Sequence, residues 1–323
     1  MDTDRTPTQA AGDEHRRGAT TDARRTQAAA PAAAARIAAV VAPETTDRVE
    51  RPVEPDYPRY RVAPGTNITL RDVDPDETEH YTRKKDVREE LSRQRDRIAD
   101  LQERLYAEGK QGLLVVLQAM DTGGKDGTIR GVFQGVNPQG CQVWSFKTPS
   151  TEELVHHFLW RYDQKTPPRG MITIFNRSHY EDVLIVRVKE LIDEAVWRQR
   201  YRMINEFEHM LTLNNTTVIK FFLCISKDEQ KRRLERRLAD PAKHWKFSRA
   251  DLKERAFWEQ YQRAFADAIS NCSTDYAPWY VVPANKKWYR DLVIARTIAD
   301  TLQVMDPQYP AAEPGLAQLT VPE

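Results

Sequence analysis

Five short apolar runs separated by helix-length stretches constrain this chain more than any other feature. The runs are 113–118 (LLVVLQ), 141–146 (CQVWSF), 171–175 (MITIF), 217–225 (TVIKFFLCI) and 279–282 (WYVV). Between and after them lie helix-like segments at 125–134, 151–162, 181–212, 228–239, 249–269 and 289–303. Strands joined by helix-length crossovers run parallel, and a parallel sheet needs helices on both faces to bury its two apolar sides. The expected fold class is therefore α/β, a three-layer α/β/α sandwich in one domain. Upstream, Leu91, Ile98, Leu101 and Leu105 recur at helical spacing in a charged stretch ended by Gly109, which predicts an amphipathic helix. No internal repeat is visible.

The ordered body is expected to begin near Tyr57. Residues 1–55 are rich in Ala, Thr, Arg, Asp and Pro with almost no large apolar side chains, the composition of a disordered extension. Asp2, Asp4, Asp13, Glu14 and Asp22 argue against an acid-poor transit peptide, and "AAAPAAAARIAAVV" lacks a basic leader. The expected organisation is extension 1–55, a single folded domain 56–305 and tail 306–323. No apolar run approaches the roughly 18 to 20 residues that cross a bilayer, so the reading is a soluble protein without membrane contact. Cys141, Cys224 and Cys272 are odd in number and far apart, which suits free thiols in a reducing cytoplasm better than a disulfide framework or a metal site. A net charge of +1 excludes a polyelectrolyte-type nucleic-acid binder. Any polyanion must be held by local clusters of Lys and Arg.

One such cluster follows the first apolar run. In "LLVVLQAMDTGGKDGTI" a buried strand passes through a glycine turn into a helix. Gly123 and Gly124 allow successive N–H groups to face one point, the following helix adds the positive end of its dipole, and Lys125 adds a full charge. Asp126, Gly127 and Thr128 complete the expected cradle. The common phosphate loop has a first Gly and a Ser or Thr after its Lys; here Ala119 and Asp126 stand there, with Thr128 the nearest substitute hydroxyl. Asp121 is the unusual member, since a carboxylate in an anion site repels its ligand unless a cation or proton lies between. Two functional roles suit it: a Mg²⁺ contact, or orientation of an attacking phosphate oxygen. The structural alternative is a turn residue satisfied by backbone N–H groups.

Two further constellations carry polar chemistry. "GMITIFNRSHYEDVLIVRV" places Asn176 and Arg177 at the carboxyl edge of a strand, where ligands of open α/β sheets bind. Arg177 is a candidate phosphate clamp, with an ion pair to Glu181 or Asp182 as the alternative. "ISKDEQKRRLERRLADPAKHWKFS" concentrates Arg232, Arg233, Arg236, Arg237, Lys243 and Lys246. This is either a solvated helix face or a lid, about 226–250, whose guanidinium groups close on phosphates. Pro283 to Lys287 follow the last strand at the same edge, as a turn or as purine contacts with Asn285. The histidines form no metal-like set with the cysteines.

Seven segments in order, "LQAMDTGGKDGTI", "GVNPQGCQVWSFKTPS", "FLWR", "IFNRSHYEDVLIVRV", "SKDEQKRRLERRL", "WKFS" and "APWYVVPANKKWYRDL", resemble the polyphosphate kinase 2 family over most of Tyr57 to Leu302. The resemblance implies a thymidylate-kinase-like P-loop core with a helical lid. It implies reversible phosphoryl transfer between inorganic polyphosphate and purine nucleotides with Mg²⁺, in homodimers or homotetramers. By position, Asp121 and Lys125 match the family's phosphate-loop pair, Asn176 and Arg177 its second motif, and Arg233 and Arg237 its lid arginines. Many members have Asp where Asn176 stands, and Asn followed by "SHYED" is similar to the subgroup acting on both AMP and ADP. The implied catalytic set is Asp121, Lys125, Arg177 and Arg233. The nucleotide side comprises Asp121, Asn176, Arg177 and Glu181, and Asp121 and Asn176 are the metal contacts. The rival functions are an ATP-dependent nucleoside monophosphate kinase and a non-catalytic polyphosphate or nucleotide sensor.

Overall fold

The computed structural model describes residues 60–322, so the extension 1–55 lies outside the described residues. Helix α1 (Arg88–Glu108) leads into strand β1 (Gly112–Ala119), helix α2 (Lys125–Val132) and strand β2 (Cys141–Ser145). Two single-turn helices, α3 (Thr151–Leu154) and α4 (Trp160–Asp163), precede β3 (Ile172–Asn176). Helices α5 (Glu181–Val188) and α6 (Glu194–Leu213) then lead to β4 (Thr216–Cys224). After it come α7 (Lys227–Leu238), α8 (Arg249–Ala256), α9 (Trp258–Cys272), β5 (Trp279–Pro283) and α10 (Lys287–Met305).

The five strands form one parallel sheet in the order β2-β3-β1-β4-β5. Every residue of β1 is buried, as a central strand covered on both faces requires. Helix α10 packs against α1 and α2, while α5, α6 and α9 pack on one another as a second group, and the three layers follow. After β1 the chain builds toward the β2 edge, and after β4 toward the β5 edge. The carboxyl ends of β1 and β4 therefore meet where the strand order reverses, the place such sheets offer to a ligand.

Helix α1 carries its apolar face as its spacing predicts: Leu91, Ile98, Leu101 and Leu105 are buried, and Gly109 ends it in the left-handed region at φ 64°. Three expected helices are interrupted. The run 181–212 breaks between α5 and α6 at Glu190, whose φ is +52°, before Asp193 starts the second helix. The run 151–162 reduces to two single turns, and 249–269 divides at Phe257. In 181–212 apolar periodicity persists across the kink because both pieces bury residues in the core, whereas Thr151–Leu154 and Arg249–Ala256 bury none. Cys224 and Cys272 are buried and Cys141 is half-buried, all three free. No helix among the described residues is long and apolar enough to cross a membrane.

Beneath the sheet's second face lies a buried ionic network. Lys220 of β4 donates to Glu208 of α6, to the Tyr180 hydroxyl (3.0 Å) and to the Cys272 carbonyl (2.7 Å). Glu208 also accepts from Tyr180 at 2.9 Å and lies 3.0 Å from His179 Nε2. Burial alone would raise the Glu208 carboxyl, but Lys220 and His179 hold it below its ordinary range. The network ties the segment after β3, which carries Arg177, to β4 and α6.

Candidate active site

The turn after β1 is held from behind by side chains of two other elements. Gln230 Nε2 of α7 donates to the Asp121 carbonyl at 3.0 Å. Arg233, one turn on, donates through Nη1 to the carbonyls of Thr122 (3.1 Å) and Gly123 (2.8 Å). Arg290 Nη1, from the first turn of α10, reaches the Gly124 carbonyl at 3.3 Å. Four consecutive carbonyl oxygens are thus occupied on one side. Among the described residues the N–H groups of Gly124, Lys125, Asp126 and Gly127 find no acceptor. These are the orphan donors of a helix start, an arrangement suited to holding an anion.

Two glycines are required for this geometry. A Cβ on Gly123 would lie 2.4 Å from Ala119 Cβ and 2.7 Å from the Met120 carbonyl oxygen. Gly124 has φ +109°, and a Cβ there would lie 2.2 Å from Arg290 Nη1. Thr122 (φ 62°) and Arg177 (φ 65°) are also left-handed, a costly conformation for side chains of this size, and both flank the cradle.

The charged groups of the cradle converge. Lys125 is half-buried, its ammonium donating to the Ala119 carbonyl at 3.1 Å. Burial, with Arg177 nearby, pushes its pKa down to about 8, only partly offset by Asp121, Glu181 and Asp126. Arg177 Nη2 donates to Asp121 Oδ1 at 2.9 Å, across 56 residues of sequence. Glu181 and Asp121 raise the Arg177 pKa against burial, so this cation is permanent. Burial raises the Glu181 carboxyl, while Arg177, Lys125 and Gln118 oppose it. With the Gln118 amide turned so that its oxygen accepts from the Ser178 N–H, its nitrogen donates to Glu181 Oε1 at 3.2 Å.

Several expected residues take other places. Asn176 Nδ2 donates to Asp126 Oδ1 at 2.9 Å, and Lys246 pairs with Asp126 Oδ2 at 3.4 Å. Asp126 therefore links the loop, the end of β3 and the lid segment. Thr128 does not supply the missing loop hydroxyl. One turn into α2 it is fully buried, and its Oγ1 donates back to the Gly124 carbonyl at 3.2 Å. Arg233, expected as a lid arginine, is 6% exposed. Its Nε is paired with Glu229 at 2.8 Å, and Nη2 donates to the Ala284 carbonyl at 2.6 Å. Its guanidinium is spent on the loop's framework. Arg237 stays partly exposed, with Nη1 at 3.3 Å from the Lys246 carbonyl and 3.7 Å from Asp251. Asn285 is buried between Asp76 and Ser226, a structural role rather than a purine contact.

Gln230 and Arg290, which hold the carbonyls of Asp121 and Gly124, are positions that sequence reasoning missed. Only Arg290 carried a signal, since a cation in the first turn of a helix opposes the helix dipole and needs a partner, while the uncharged Gln230 carried none.

Among the described residues no group of three or more His, Cys, Asp or Glu could enclose a metal. A hard cation that keeps water and phosphate oxygens as most of its ligands needs only one or two protein oxygens. The Asp121 carboxylate fits, and the Asn176 amide, whose nitrogen faces Asp126, leaves its carbonyl oxygen for that purpose.

Known proteins resemble this chain over most of its length. Residues 81–310 match the family model described as polyphosphate kinase 2. An AMP/ADP-polyphosphate phosphotransferase of Meiothermus ruber is 51% identical over 264 residues, 81% of this chain and 99% of that protein. An ADP-polyphosphate phosphotransferase of Rhodopseudomonas palustris is 44% identical over 272 residues, 79% of this chain and 93% of the relative. The crystal structure of polyphosphate kinase 2 from Arthrobacter aurescens superposes with a TM-score of 0.77 at 47% identity, covering 80% of this chain and 93% of that one.

Proposed function

This chain belongs to the polyphosphate kinase 2 family, and from that premise we propose that it moves phosphoryl groups reversibly between inorganic polyphosphate and AMP or ADP. The observation that carries the proposal is the clasped loop. Four N–H groups at the start of α2 have no acceptor among the described residues, Lys125 stands among them, and the carboxylate of Asp121 in the same turn is paired with Arg177.

The terminal phosphate of polyphosphate sits on the N–H groups of Gly124, Lys125, Asp126 and Gly127 and on the Lys125 ammonium, while Gly123, whose own N–H donates to the Met120 carbonyl at 2.9 Å, shapes the turn. The nucleotide's terminal phosphate approaches from the side of Asp121, Asn176, Arg177 and Glu181. Arg177 holds it, and Asp121, fixed by Arg177, sets the direction of the attacking oxygen. That oxygen is already ionised near neutral pH, so no general base is needed. The oxygen–phosphorus bond to the acceptor forms as the bond to the remaining chain breaks, and the shortened polyphosphate leaves with the electron pair. Arg237 and Lys246 of the lid balance negative charge on the transferring group, whereas Arg233 acts through the loop it braces. Mg²⁺, held by Asp121 and Asn176, would reduce repulsion between the two polyanions. We further propose that the protein works in the cytoplasm as a homodimer or homotetramer.

Offering AMP or ADP with polyphosphate as the only donor, and in parallel with ATP as the only donor for AMP, tests the reading. Formation of ADP and ATP from polyphosphate supports it. Phosphorylation of AMP by ATP alone would mark an ordinary monophosphate kinase, and binding without turnover would mark a sensor.

A further inference from the structure

The buried ionic network is costly for a fold to keep. Lys220 and Glu208 are both fully buried, and the desolvation of such a pair offsets most of its attraction. Apolar residues of similar volume would stabilise β4 and α6 about as well. What the network supplies instead is direction, since each of its hydrogen bonds fixes the orientation of the group it meets.

The groups it orients belong to one tripeptide, Ser178-His179-Tyr180, which is fully buried and directly follows Arg177. His179 Nε2 and the Tyr180 hydroxyl both meet Glu208 Oε1, and Lys220 donates to the same hydroxyl. His179 Nδ1 finds no partner among the described residues, so Glu208 is the polar anchor of that ring. Aromatic edges close around it: His179 meets Tyr162 at 5.9 Å and Phe207 at 5.6 Å, and Tyr180 meets Trp279 at 4.7 Å. Ser178 is held separately, its N–H and hydroxyl each 3.2 Å from the oxygen of the turned Gln118 amide.

Arg177 has φ +65°, and a side chain of this size keeps such an angle only where its surroundings over-determine it. On its upstream side the constraint is β1, whose Leu117 carbonyl accepts from the Arg177 N–H at 3.1 Å. On its downstream side the constraint is the anchored tripeptide. Freed there, the residue would relax to negative φ and carry its guanidinium away from Asp121.

We propose that Glu208, Lys220, Tyr180 and His179 are positioning residues for the transfer reaction, holding Arg177 where its guanidinium meets both Asp121 and the nucleotide's terminal phosphate. All four are fully buried and act through Arg177 rather than on substrate. The inference rests on the reading of Arg177 as the clamp on that phosphate.

Glu208→Gln and Tyr180→Phe test it, each assayed well below its own melting temperature. Tyr180→Phe keeps the ring in its packing and carries the test if Glu208→Gln does not fold. A misplacement of about 1 Å can cost about 100-fold, so the Kd for ADP, measured by titration calorimetry with Mg²⁺, should rise about fivefold or more in each variant. KM for polyphosphate should stay within about twofold of the parent, because the glycine cradle is braced by other side chains. In an Arg177→Ala background the same substitutions should change the Kd for ADP by about twofold or less, since the group they position is gone. Equal losses in both backgrounds, or parental affinity in the folded variants, would overturn the positioning role while leaving phosphotransfer standing. Arg177→Ala binding ADP as tightly as the parent would instead overturn the reading of Arg177 as the clamp, and this inference with it.

Discussion

At the scale of single residues the proposed chemistry turns on Lys125 and Asp121. Lys125 titrates near 8 in the free protein because burial and Arg177 disfavour its charge. Its protonated form is the one that binds phosphate, so kcat/KM for polyphosphate should fall as pH rises through about 8. Bound phosphate stabilises the ammonium and raises its pKa, so the alkaline limb of kcat should lie at higher pH than that of kcat/KM. A coincident pair of limbs would separate Lys125 from substrate binding. Lys125→Met should lower kcat/KM by about 100-fold or more, in line with the loss of one preorganised donor at a developing charge. Asp121→Asn keeps the shape of the loop and removes the charge. Rapid-quench turnover should drop about 100-fold or more, while equilibrium polyphosphate binding is retained or tightened. Asp121, Lys125 and Arg177 were legible from residue type and position alone. The roles of Gln230 and Arg290 were not, because a side chain that holds a distant carbonyl leaves no spacing pattern in its own segment.

At the scale of elements, the loop, α7 and α10 behave as one unit. The glycine turn and the helix after it were readable from the sequence, since a buried strand, two glycines and Lys125 occur in the order such a site requires. Why the turn holds its shape was not readable, because the bracing arginines lie 110 and 166 residues away from the carbonyls they hold. The break within 181–212 stayed hidden because both halves bury apolar residues. Arg233→Met would strip hydrogen bonds from the carbonyls of Thr122, Gly123, Ala284 and Asn285 and leave Glu229 paired only with the exposed Arg232 and Arg236. A loss of about 3 to 5 kcal/mol is expected on the scale of breaking a buried ion pair, measured by denaturant unfolding. Arg233→Lys keeps the charge but not the fork, and should retain much of the stability while raising KM for polyphosphate. The tie between Lys246 and Asp126 is partly exposed, so Lys246→Ala should leave the melting temperature almost unchanged. An effect confined to turnover would mark the lid segment as functional.

For the whole molecule, the order β2-β3-β1-β4-β5 brings five distant segments to one edge, and the ionic network of Lys220, Glu208, Tyr180 and His179 fixes the other side of β3 and β4. Fold class and strand positions followed from the alternation of runs, whereas the network followed from nothing local, since Lys220 sits within an apolar strand and meets its partners only after folding. Because the Glu208 carboxyl is held below its ordinary range, its ionised form stabilises the fold above the unfolded value, and this contribution is lost as pH falls through the lower folded value. Thermal unfolding followed by circular dichroism should therefore show the parent losing stability in acid, with Glu208→Gln less stable at neutral pH and less sensitive to acid. The central claim, that one clasped loop presents a phosphate of polyphosphate to the nucleotide, is tested most directly by a crystal structure with polyphosphate and a non-hydrolysable nucleotide bound together. The end phosphate should lie within hydrogen-bond reach of the N–H groups of Gly124 to Gly127 and of the Lys125 ammonium, with the nucleotide's terminal phosphate on Arg177. Polyphosphate lodged elsewhere, with the loop empty or filled by the nucleotide's own phosphates, would contradict it.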